Sequence, residues 1–436
     1  LSFQLYQLTH SFTMSLTSRN VRALTQLACR GLNTSSIDAA VSSMKKKPEA
    51  EPRDYHRTFY ADEMEIDVVK KKDRAPVPGP NQTWDTIELK FGHHYAEHMV
   101  EVDWTEANGW QKASLHKLRN LSLHPGAKVL HYAIELFEGM KAYRGIDNHI
   151  RLFRPDANMA RMNRTAARAS LPTFDSEELI KMIVEQVAVD GAWVPPSLTS
   201  SMYIRPTLIG TDKTLGVGYP QDAKLFVVTG PVGAYFVNGF QPVSLLADSQ
   251  YVRAFPGGVG AFKMGCNYAP TIGVNKEAAK KGCQQVLWLH GQQEEVTEVG
   301  TMNIFVLWKN ESGELELVTP PLNGLILPGV TRDTLLTLGR EYNEFKVSER
   351  NFNMEDVRRA HKEGRILQIF GAGTACVVSP VGRIVYHNRK TDQYEELLIP
   401  TMQSKPNLMQ RFYEHINDIQ YGRIARPEWT VDVPNL

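Results

Sequence analysis

The chain has 436 residues, of which 42% are hydrophobic and 22% charged, a composition typical of a globular protein long enough for two domains. Its formal net charge is +1, which excludes a strong global field for nucleic acid or an anionic membrane, and we expect neither as a partner. No unbroken apolar run approaches the about 20 residues that span a bilayer, so the sequence predicts a soluble protein.

The first 37 residues have the composition of a targeting segment. They contain no Asp or Glu, carry three arginines and are rich in Ser and Thr, which is typical of a mitochondrial transit peptide. The first methionine is Met14, so residues 1–13 are a candidate untranslated segment. We therefore predict import into the mitochondrial matrix, with the cytoplasm as the alternative if the segment is only a tail. Residues 38–83 are charged and Pro-rich and predict a disordered linker.

The folded part is predicted to begin near Trp84 and to form two domains of mixed α/β structure. Strands and helices mix without strict βα alternation, which favours α+β domains over one doubly wound sheet. The turn-rich stretch "FVNGFQPV" predicts a hinge at 237–242, between a small domain over 84–236 and a large domain over 243–436. The alternation in "IELKFGHHYAEHMVEVDW" predicts strand, turn and strand. Further predicted elements are helices near 175–190, 268–281 and 330–342, and strands at 243–248, 284–290, 295–299 and 302–308.

The stretch "GGVGAFKMGCNYAP", residues 257–270, places a lysine among glycines. It is not a phosphate-binding P-loop, because Phe262 stands in place of the last glycine and Met264 in place of the hydroxyl that would bind magnesium. A lysine amine is a nucleophile when neutral, and burial in an apolar, glycine-rich pocket lowers its pKa and permits a Schiff base with a carbonyl. Lys263 is therefore either a cofactor-binding lysine or an ordinary exposed loop lysine.

Three further segments offer groups that complement such a lysine. Glu298 precedes an apolar strand and is either a partner for a protonated ring nitrogen or a surface turn acid. The segment "LPGVTRDTLL" opens a helix whose first N–H groups, with Thr331, form either an anion site or a plain helix start. The segment "FGAGTACVV" offers a backbone nest for an oxyanion. Each segment is ordinary alone, but their co-occurrence in this order is not.

With these motifs in place, the chain resembles the branched-chain amino acid aminotransferases of the animal type, which are fold-type IV pyridoxal phosphate enzymes. The resemblance covers roughly residues 80 to 430 and includes "GCQQVLWLHG", "TEVGTMNIFVLW" and "TPPLNGLILPGVTR", with "LFEGMKAYRG", "LFRPDANMARM", "SMYIRPTLIG" and "PVGAYF" in the N-terminal half. It implies two mixed α/β domains with pyridoxal 5'-phosphate at their interface. It also implies reversible transfer of the amino group between L-leucine, L-isoleucine or L-valine and 2-oxoglutarate, in the biosynthesis or catabolism of these amino acids.

The resemblance assigns the cofactor site residue by residue. It implies that Lys263 binds the cofactor and later moves a proton, that Glu298 pairs with the pyridine nitrogen, and that Tyr268 lies against the cofactor's O3' oxygen. Thr374 and Ala375 present N–H groups to the substrate carboxylate, and Thr374 also touches the cofactor. The residues implied to hold the phosphate are Arg161, Thr301, Val330 and Thr331, with Thr301 also at the substrate.

The resemblance further implies a substrate pocket shared between two subunits. Tyr203 and Arg205 lie two apart on a strand, hence on one face, and would receive the second carboxylate of glutamate. The loop "GTDKTLGVGYP" is similar to the family segment that covers the neighbouring subunit's pocket, with Leu215 and Val217 as lids, which implies a homodimer. The aromatic wall implied for the substrate side chain comprises Phe91, Tyr132, Phe137, Tyr203 and Tyr235.

The cysteines depart from the family pattern. Vertebrate members carry a Cys-x-x-Cys after the nest, proposed as a redox switch, whereas here Cys376 is followed by Ser379 and no 376–379 disulfide can form. The four cysteines of the chain are too scattered for a disulfide framework, which predicts a reducing compartment. The cluster "HHYAEH" lacks the H-E-x-x-H spacing, and no metal site is predicted.

Two classes of alternative remain at this stage. Within the same fold, the chain could be a D-amino acid transaminase or an aminodeoxychorismate lyase. From a different class, it could be a non-catalytic homologue that only binds small molecules. Such a homologue would be expected to lack Lys263, Glu298 or Arg161, and all three are present.

Overall fold

The computed structural model describes residues 52–74, 76–79, 82–84, 86–233 and 240–434. The predictions for residues 1–37, for Tyr235 and for the first half of the hinge lie outside these residues. The structure from Tyr55 onward forms one unit. The two-domain division with its hinge stays a prediction.

The strands of the described residues have clear bounds. They are β1 (Glu65–Asp67), β2 (His98–Thr105), β3 (Gly109–Trp110), β4 (Ser114–Lys117), β5 (Glu135–Phe137), β6 (Met140–Arg144), β7 (Ile150–Phe153), β8 (Ser201–Gly210), β9 (Asp222–Val232), β10 (Val243–Ala247), β11 (Gln285–His290), β12 (Glu295–Val299), β13 (Met302–Lys309), β14 (Leu315–Thr319), β15 (Lys346–Glu349), β16 (Ile366–Gly373), β17 (Val377–Asn388), β18 (Gln393–Leu398) and β19 (Thr430–Val433).

The described residues form seven α-helices, of which the third, fourth and fifth lie at the predicted positions. They are α1 (Lys128–Tyr132), α2 (Pro155–Arg168), α3 (Ser176–Val189), α4 (Thr271–Lys280), α5 (Val330–Tyr342), α6 (Met354–Lys362) and α7 (Leu408–Gln420). Pro155 is the first residue of α2, where its missing N–H costs no hydrogen bond. Asp175 caps α3 by accepting the N–H of Glu177. None of the helices in the described part of the chain combines the length and apolar character needed to cross a membrane.

The strands form two sheets. Ten described strands make the first, in the order β1-β4-β2-β9-β8-β6-β7-β19, with β3 beside β2 and β5 beside β8. Nine make the second, in the order β12-β11-β10-β17-β16-β13-β14-β15, with β18 beside β17. Strands β12 and β13 also pair with each other, so β10, β11, β12, β13, β16 and β17 close into a ring. The last strand, β19, returns to the first sheet, where it pairs with β7.

Separate apolar cores lie beneath these sheets. One packs the first sheet against α2 and α3, and another lies among the ring strands and α6. A third joins Tyr143 and Phe153 of the first sheet to Phe305, Leu335 and Phe412 on the side of the second. This third core fastens the two sheets together.

The predicted disordered linker is wrong for its C-terminal part. Phe59 is only 1% exposed, and its ring lies 5.0 Å from that of Trp110 and 5.5 Å from that of Phe174. Strand β1 pairs in parallel with β4. The burial of Phe59 and the pairing of β1 together order a charged segment that composition alone assigns to a linker.

The predicted strand before "HHYAEH" is also wrong. Residues 87–97 contain no strand, because the backbone turns at Gly92, whose φ is +74°. Strand β2 begins at His98, which is buried and whose Nδ1 lies 2.6 Å from Oδ1 of Asp190. The N–H of Val69 donates to its Nε2, so both ring nitrogens of His98 have protein partners.

Candidate active site

Lys263 is held in place by two elements of the first sheet's layer. Its backbone N–H donates to Oγ1 of Thr165 in α2, and its carbonyl accepts the N–H of Phe137 in β5, each at 3.2 Å. Its Nζ donates to Oη of Tyr268 at 3.2 Å and lies 4.8 Å from the ring centre of Phe137. The lysine is half-buried, so the reading of an ordinary exposed loop lysine does not describe it.

Glu298 is a buried carboxylate at the end of β12 and is only 2% exposed. Its Oε1 accepts N–H groups from Asn303 and Leu327, each at 3.1 Å. Its Oε2 lies 2.8 Å from Nε of Arg253. Burial raises the pKa of Glu298, and Arg253 and Lys263 act against that rise. The alternative of a surface turn acid is therefore wrong.

Arg161 is buried in α2 and is paired with Glu138. Its Nε and Nη2 lie 2.7 and 2.8 Å from the two carboxylate oxygens of Glu138, and its Nη1 donates to the carbonyl of Pro328 at 3.0 Å. Burial raises the pKa of Glu138, but Arg161 outweighs it and holds the pKa below its usual range. A guanidinium has five N–H groups, and Arg161 uses three of them within the described residues, which leaves two for another acceptor.

Helix α5 begins beside this arginine. Val330 and Thr331 are its first two residues and are buried, and the first N–H groups of a helix have no partner within it. A Cβ atom at Gly329 would lie 2.1 Å from Oδ1 of Asn303, so a larger residue here would displace the side chain that donates to Glu298. The free donors of Arg161 and the start of α5 thus form a site suited to a phosphate.

Two hairpin turns lie at one end of the ring of strands. Thr301 lies in the β12–β13 turn and is exposed, while Thr374 and Ala375 lie in the β16–β17 turn and are half-buried. The two hairpins are neighbours, because Asn303 in β13 is paired in register with Ala372 in β16. Thr374 lines a small cavity with Asn158, Val330 and Thr331, which connects the second turn to the phosphate site.

Two of the predicted wall residues contact Arg205, and a third packs against one of them. Its guanidinium lies 4.7 Å from the ring centre of Phe137, and its Nη2 donates to Oη of Tyr203 at 3.1 Å. The rings of Phe91 and Tyr203 lie 4.9 Å apart, edge to face. Nε of Arg205 is buried and has no hydrogen-bond partner in the described structure. Because Phe137 also contacts Lys263, this wall is continuous with the lysine.

The remaining predicted pocket residues form a separate group. The hydroxyl of Tyr132 donates to the carbonyl of Leu215, in the loop between β8 and β9. Leu215 is 65% exposed and Val217 is 85% exposed. These side chains point to solvent in a single chain, and Tyr235 lies outside the described residues.

Sequence reasoning missed four residues that shape the site. Glu138, Asn158 and Arg253 each contact a predicted residue or its partner, and Lys141 donates to the carbonyl of Ala375. Glu138 and Lys141 lie within the quoted motif "LFEGMKAYRG", so a signal was present for them. A buried arginine or glutamate needs an opposite charge, so such partners can be expected from sequence. The sequence does not say which residues they are.

The donor set fits pyridoxal phosphate. That cofactor needs an amine for its aldehyde, an acid for its ring nitrogen and donors for its phosphate. Lys263 supplies the amine, Glu298 the acid, and Arg161 with the start of α5 the donors. The charge of Lys263 lowers the pKa of both Glu138 and Glu298, so both buried carboxylates lie within the field of the amine.

Comparison with known proteins shows the family of the chain. The family model described as amino-transferase class IV matches residues 135–384, more than half of the chain. A cytosolic branched-chain-amino-acid aminotransferase from Caenorhabditis elegans is 59% identical over 416 residues, which cover 94% of this chain and 99% of that relative. A mitochondrial one from Bos taurus is 48% identical over 377 residues, covering 86% and 92%.

Solved structures show the same fold at lower identity. The branched-chain amino acid aminotransferase from Escherichia coli superposes with a TM-score of 0.62 at 22% identity, over 78% of this chain and all of that one. The Thermobaculum terrenum enzyme in its PLP form gives a TM-score of 0.62 at 18% identity, over 78% of this chain. The family match, the relatives and the fold agree, and the chain belongs to the class IV aminotransferases and, within them, to the branched-chain-amino-acid aminotransferases.

Proposed function

We propose that this protein uses pyridoxal 5'-phosphate to transfer the amino group reversibly between L-leucine, L-isoleucine or L-valine and 2-oxoglutarate, giving the branched-chain 2-oxo acids and L-glutamate. The observation that carries the proposal is the position of Lys263. Its Nζ lies next to Oη of Tyr268 and to the ring of Phe137, within the field of buried Glu138 and Glu298.

The residues around the cofactor have distinct tasks. When bound, pyridoxal phosphate draws electrons from the substrate Cα through its protonated ring. The carboxylate of Glu298 stabilises the proton on the ring nitrogen, and Arg253 favours the ionised form of that carboxylate. Nζ of Lys263 takes the proton from the substrate Cα and returns it, and the adjacent Tyr268 hydroxyl orients this amine. Arg161 and the start of α5 would hold the phosphate. Thr301 would contact both the phosphate and the substrate.

The pocket accepts two kinds of side chain. The aromatic wall of Phe91, Phe137 and Tyr203 suits the branched apolar side chains of the first substrates. The unpartnered Nε of Arg205 suits the second carboxylate of glutamate, because a buried donor without a partner gains most from an anionic acceptor. Thr374 and Ala375 would bind the carboxylate that all these substrates share.

The subunits are proposed to pair. The exposed apolar side chains of Leu215 and Val217 support a homodimer in which this loop covers the partner's pocket, with Tyr132 holding the loop at its Leu215 carbonyl. Small-molecule substrates and a second copy of the chain are the partners that this proposal includes.

The compartment is proposed from the first 37 residues. Their acid-free, arginine-containing composition supports import into mitochondria. Relatives with both cytosolic and mitochondrial names exist, and the cytosol is the second candidate because the Caenorhabditis elegans relative is a cytosolic one. Expression of the full chain and of residues 38–436, each fused at the C-terminus to a fluorescent protein, separates the two. Mitochondrial signal from both forms, or from neither, would contradict import through residues 1–37.

The reaction is tested by absorbance. Residues 38–436 are purified with pyridoxal phosphate, and L-leucine is added without a keto acid. We expect the visible pyridoxal band to convert to the pyridoxamine form, and D-alanine to leave it unchanged. Lys263→Ala is the matched control and should not convert. A wild-type protein that stays colourless with added pyridoxal phosphate would overturn the enzyme assignment, and conversion by D-alanine would favour a D-amino acid transaminase.

A further inference from the structure

Lys141 is a buried lysine that joins the two sheets. It lies in β6, in register with Tyr203 of β8, and is only 7% exposed. Its Nζ donates to the carbonyl of Ala375 at 2.8 Å. Ala375 belongs to the β16–β17 turn of the ring, so this hydrogen bond ties a strand of the first sheet to the turn that presents Thr374 and Ala375.

The ammonium of Lys141 has no carboxylate partner among the residues that the structure describes. Its one described acceptor is the Ala375 carbonyl, which carries no net charge. A buried cation without an opposite charge is costly, and burial lowers the pKa of Lys141 to about 8. An anion that enters this site would remove part of that cost.

The other cations of the candidate site already have tasks. Arg161 is paired with Glu138, and Arg253 with Glu298. The guanidinium of Arg205 lies over the rings of Phe137 and Tyr203 in the wall. Lys263 has to exchange its proton during the reaction. Of the cations that the described residues bring to this site, Lys141 remains for the carboxylate at the turn.

We propose that Lys141 is a positioning residue for the substrate carboxylate: it holds the turn between β16 and β17 through Ala375 and supplies the positive charge that a carboxylate at Thr374 and Ala375 needs. This inference rests on the proposed function, because it assumes that the substrate carboxylate binds at that turn. Lys141 also lines the cavity that contains Thr331 and Thr374, so its charge reaches the phosphate end of the site as well.

The test compares a charged ligand with an uncharged one. The probes are 4-methylpentanoate, which is leucine without its amino group, and its neutral amide, 4-methylpentanamide. Their dissociation constants are measured by calorimetry on the pyridoxal phosphate form of the wild type, Lys141→Met and Lys141→Gln. We expect both variants to bind the carboxylate about 10- to 100-fold more weakly, as for loss of a charge-assisted hydrogen bond. We expect Lys141→Gln to bind the amide unchanged, and Lys141→Met to bind the amide more weakly as well, because it also releases the turn at Ala375.

Lys141→Gln separates charge from position, because it keeps an N–H donor near the Ala375 carbonyl while removing the charge. Equal weakening of both probes in both variants would show a structural role only, and unchanged affinity for the carboxylate would show no role. Either result overturns the proposal. The melting temperature of each variant with cofactor checks that it is folded.

A pH series on the wild type needs no variant. We expect the affinity for 4-methylpentanoate to fall as the pH rises through about 8, because Lys141 loses its proton there, while the affinity for the amide stays level. Among the described residues, the titratable side chains beside Lys141 are Cys376, whose charge acts on it, Tyr203, which is its register partner in β8, and Tyr143, which lines the same cavity. Burial raises the pKa of Cys376 to about 12 and the pKa of Tyr143 well above its usual value, so neither accounts for a change near 8. A level carboxylate curve would overturn the proposal.

The absorbance band distinguishes failure of this proposal from failure of the proposed function. A wild type that shows the pyridoxal band and converts with L-leucine, but whose carboxylate affinity does not depend on Lys141, refutes the role of Lys141 alone. A wild type without the band, which also fails to bind 4-methylpentanoate, refutes both.

Discussion

At the scale of single residues, the candidate site contains buried charges, some of which are paired with an opposite charge while one is not. Arg161 and Glu298 each have an opposite charge within hydrogen-bonding distance, in Glu138 and Arg253 respectively. Lys141 has none among the described residues. Paired charges keep a fixed geometry before any ligand binds, whereas an unpaired one gains from the ligand. Mutation of a paired charge should therefore lower stability, whereas mutation of the unpaired charge should lower the affinity for the ligand.

Removal of Glu138 should destabilise the protein and weaken the cofactor. Glu138→Ala leaves Arg161 as an unpaired buried charge, a change that costs about 3–5 kcal/mol of unfolding free energy. We also expect the dissociation constant of pyridoxal phosphate to rise, because the guanidinium loses its orientation. Urea unfolding of the cofactor-free protein and a fluorescence titration with the cofactor measure the two effects.

Asp147→Ala is the matched control for Glu138→Ala. Asp147 forms an ion pair with Arg151 at the surface, where loss of a partner costs about 0–1 kcal/mol. Equal destabilisation by the two variants would mean that the Glu138–Arg161 pair has no special energetic weight.

Peroxide should not switch the enzyme reversibly through Cys376. Burial raises the pKa of this thiol to about 12, so it stays protonated and unreactive at neutral pH, and Ser379 provides no second sulfur. We expect no loss of activity that dithiothreitol restores, and the same result for Cys376→Ala. A reversible loss that occurs in the wild type and not in Cys376→Ala would contradict this.

The sequence predicts single residues well where a motif carries them. Lys263, Tyr268 and Glu298 come from long motifs, and the structure places Nζ of half-buried Lys263 beside Tyr268 and within the field of buried Glu298, while their roles stay predictions. Arg253 belongs to no recognised motif, and its role exists only because the fold brings it to Glu298, 45 positions along the chain. Tyr132 was predicted in the aromatic wall, but the structure places its hydroxyl at the Leu215 carbonyl, apart from Phe137 and Tyr203. The predicted contacts of Leu215 and Val217 involve a second copy of the chain and stay predictions.

At the scale of elements, buried segments were predicted better than half-exposed ones. The bounds of β12, α3 and α5 agree with prediction within one residue, because periodic apolar residues and clear turns define them. The alternation in residues 87–97 was misleading, since Gly92 turns the backbone and no strand pairs there. The charged segment before Trp84 was misassigned because β1 gains its order from pairing with β4, a contact between distant positions.

The hydrogen bonds of Glu316, a clasp that links β14 to β13 and to the end of β15, should make the stability of the fold decrease at low pH. Glu316 in β14 is buried and accepts hydrogen bonds from Arg350 and from Nε1 of Trp308 in β13. Burial alone would raise the pKa of Glu316, but the hydrogen bonds from Arg350, Ser348 and Trp308 prevail and hold it at about 2. The folded pKa is therefore below the unfolded one, and the resulting stability is complete above about pH 4.5 and decreases as the pH falls toward 2.

Glu316→Gln tests this clasp. We expect the variant to melt at a lower temperature than the wild type at about pH 7, and the difference to shrink as the pH is lowered from about 5 to about 3. Melting temperatures across that range give the answer by circular dichroism. A difference that does not change with pH would show that the charge of Glu316 contributes nothing.

At the scale of the whole molecule, the loop between β8 and β9 should control assembly. Aspartate at both Leu215 and Val217 places charges on side chains that are mostly exposed in one chain, so the fold should survive while a partner surface is lost. We expect light scattering to show half the wild-type mass and turnover to fall with it. Leu398→Asp, at an equally exposed apolar position on β18, is the control and should stay dimeric. A monomeric wild type would refute the homodimer.

The closed ring of strands sets the order of events in folding. Val243 of β10 pairs with Val381 of β17, and the ring is complete only when β12 and β13 have also paired. Contacts between such distant positions form slowly, because the intervening chain must first lose its freedom. The turns that hold Thr301 and Thr374 lie at the end of this ring, so the candidate site arises late. During refolding from urea, the helical circular dichroism signal should return before the pyridoxal absorbance. The rate at which the colour returns then reports the rate at which the ring closes.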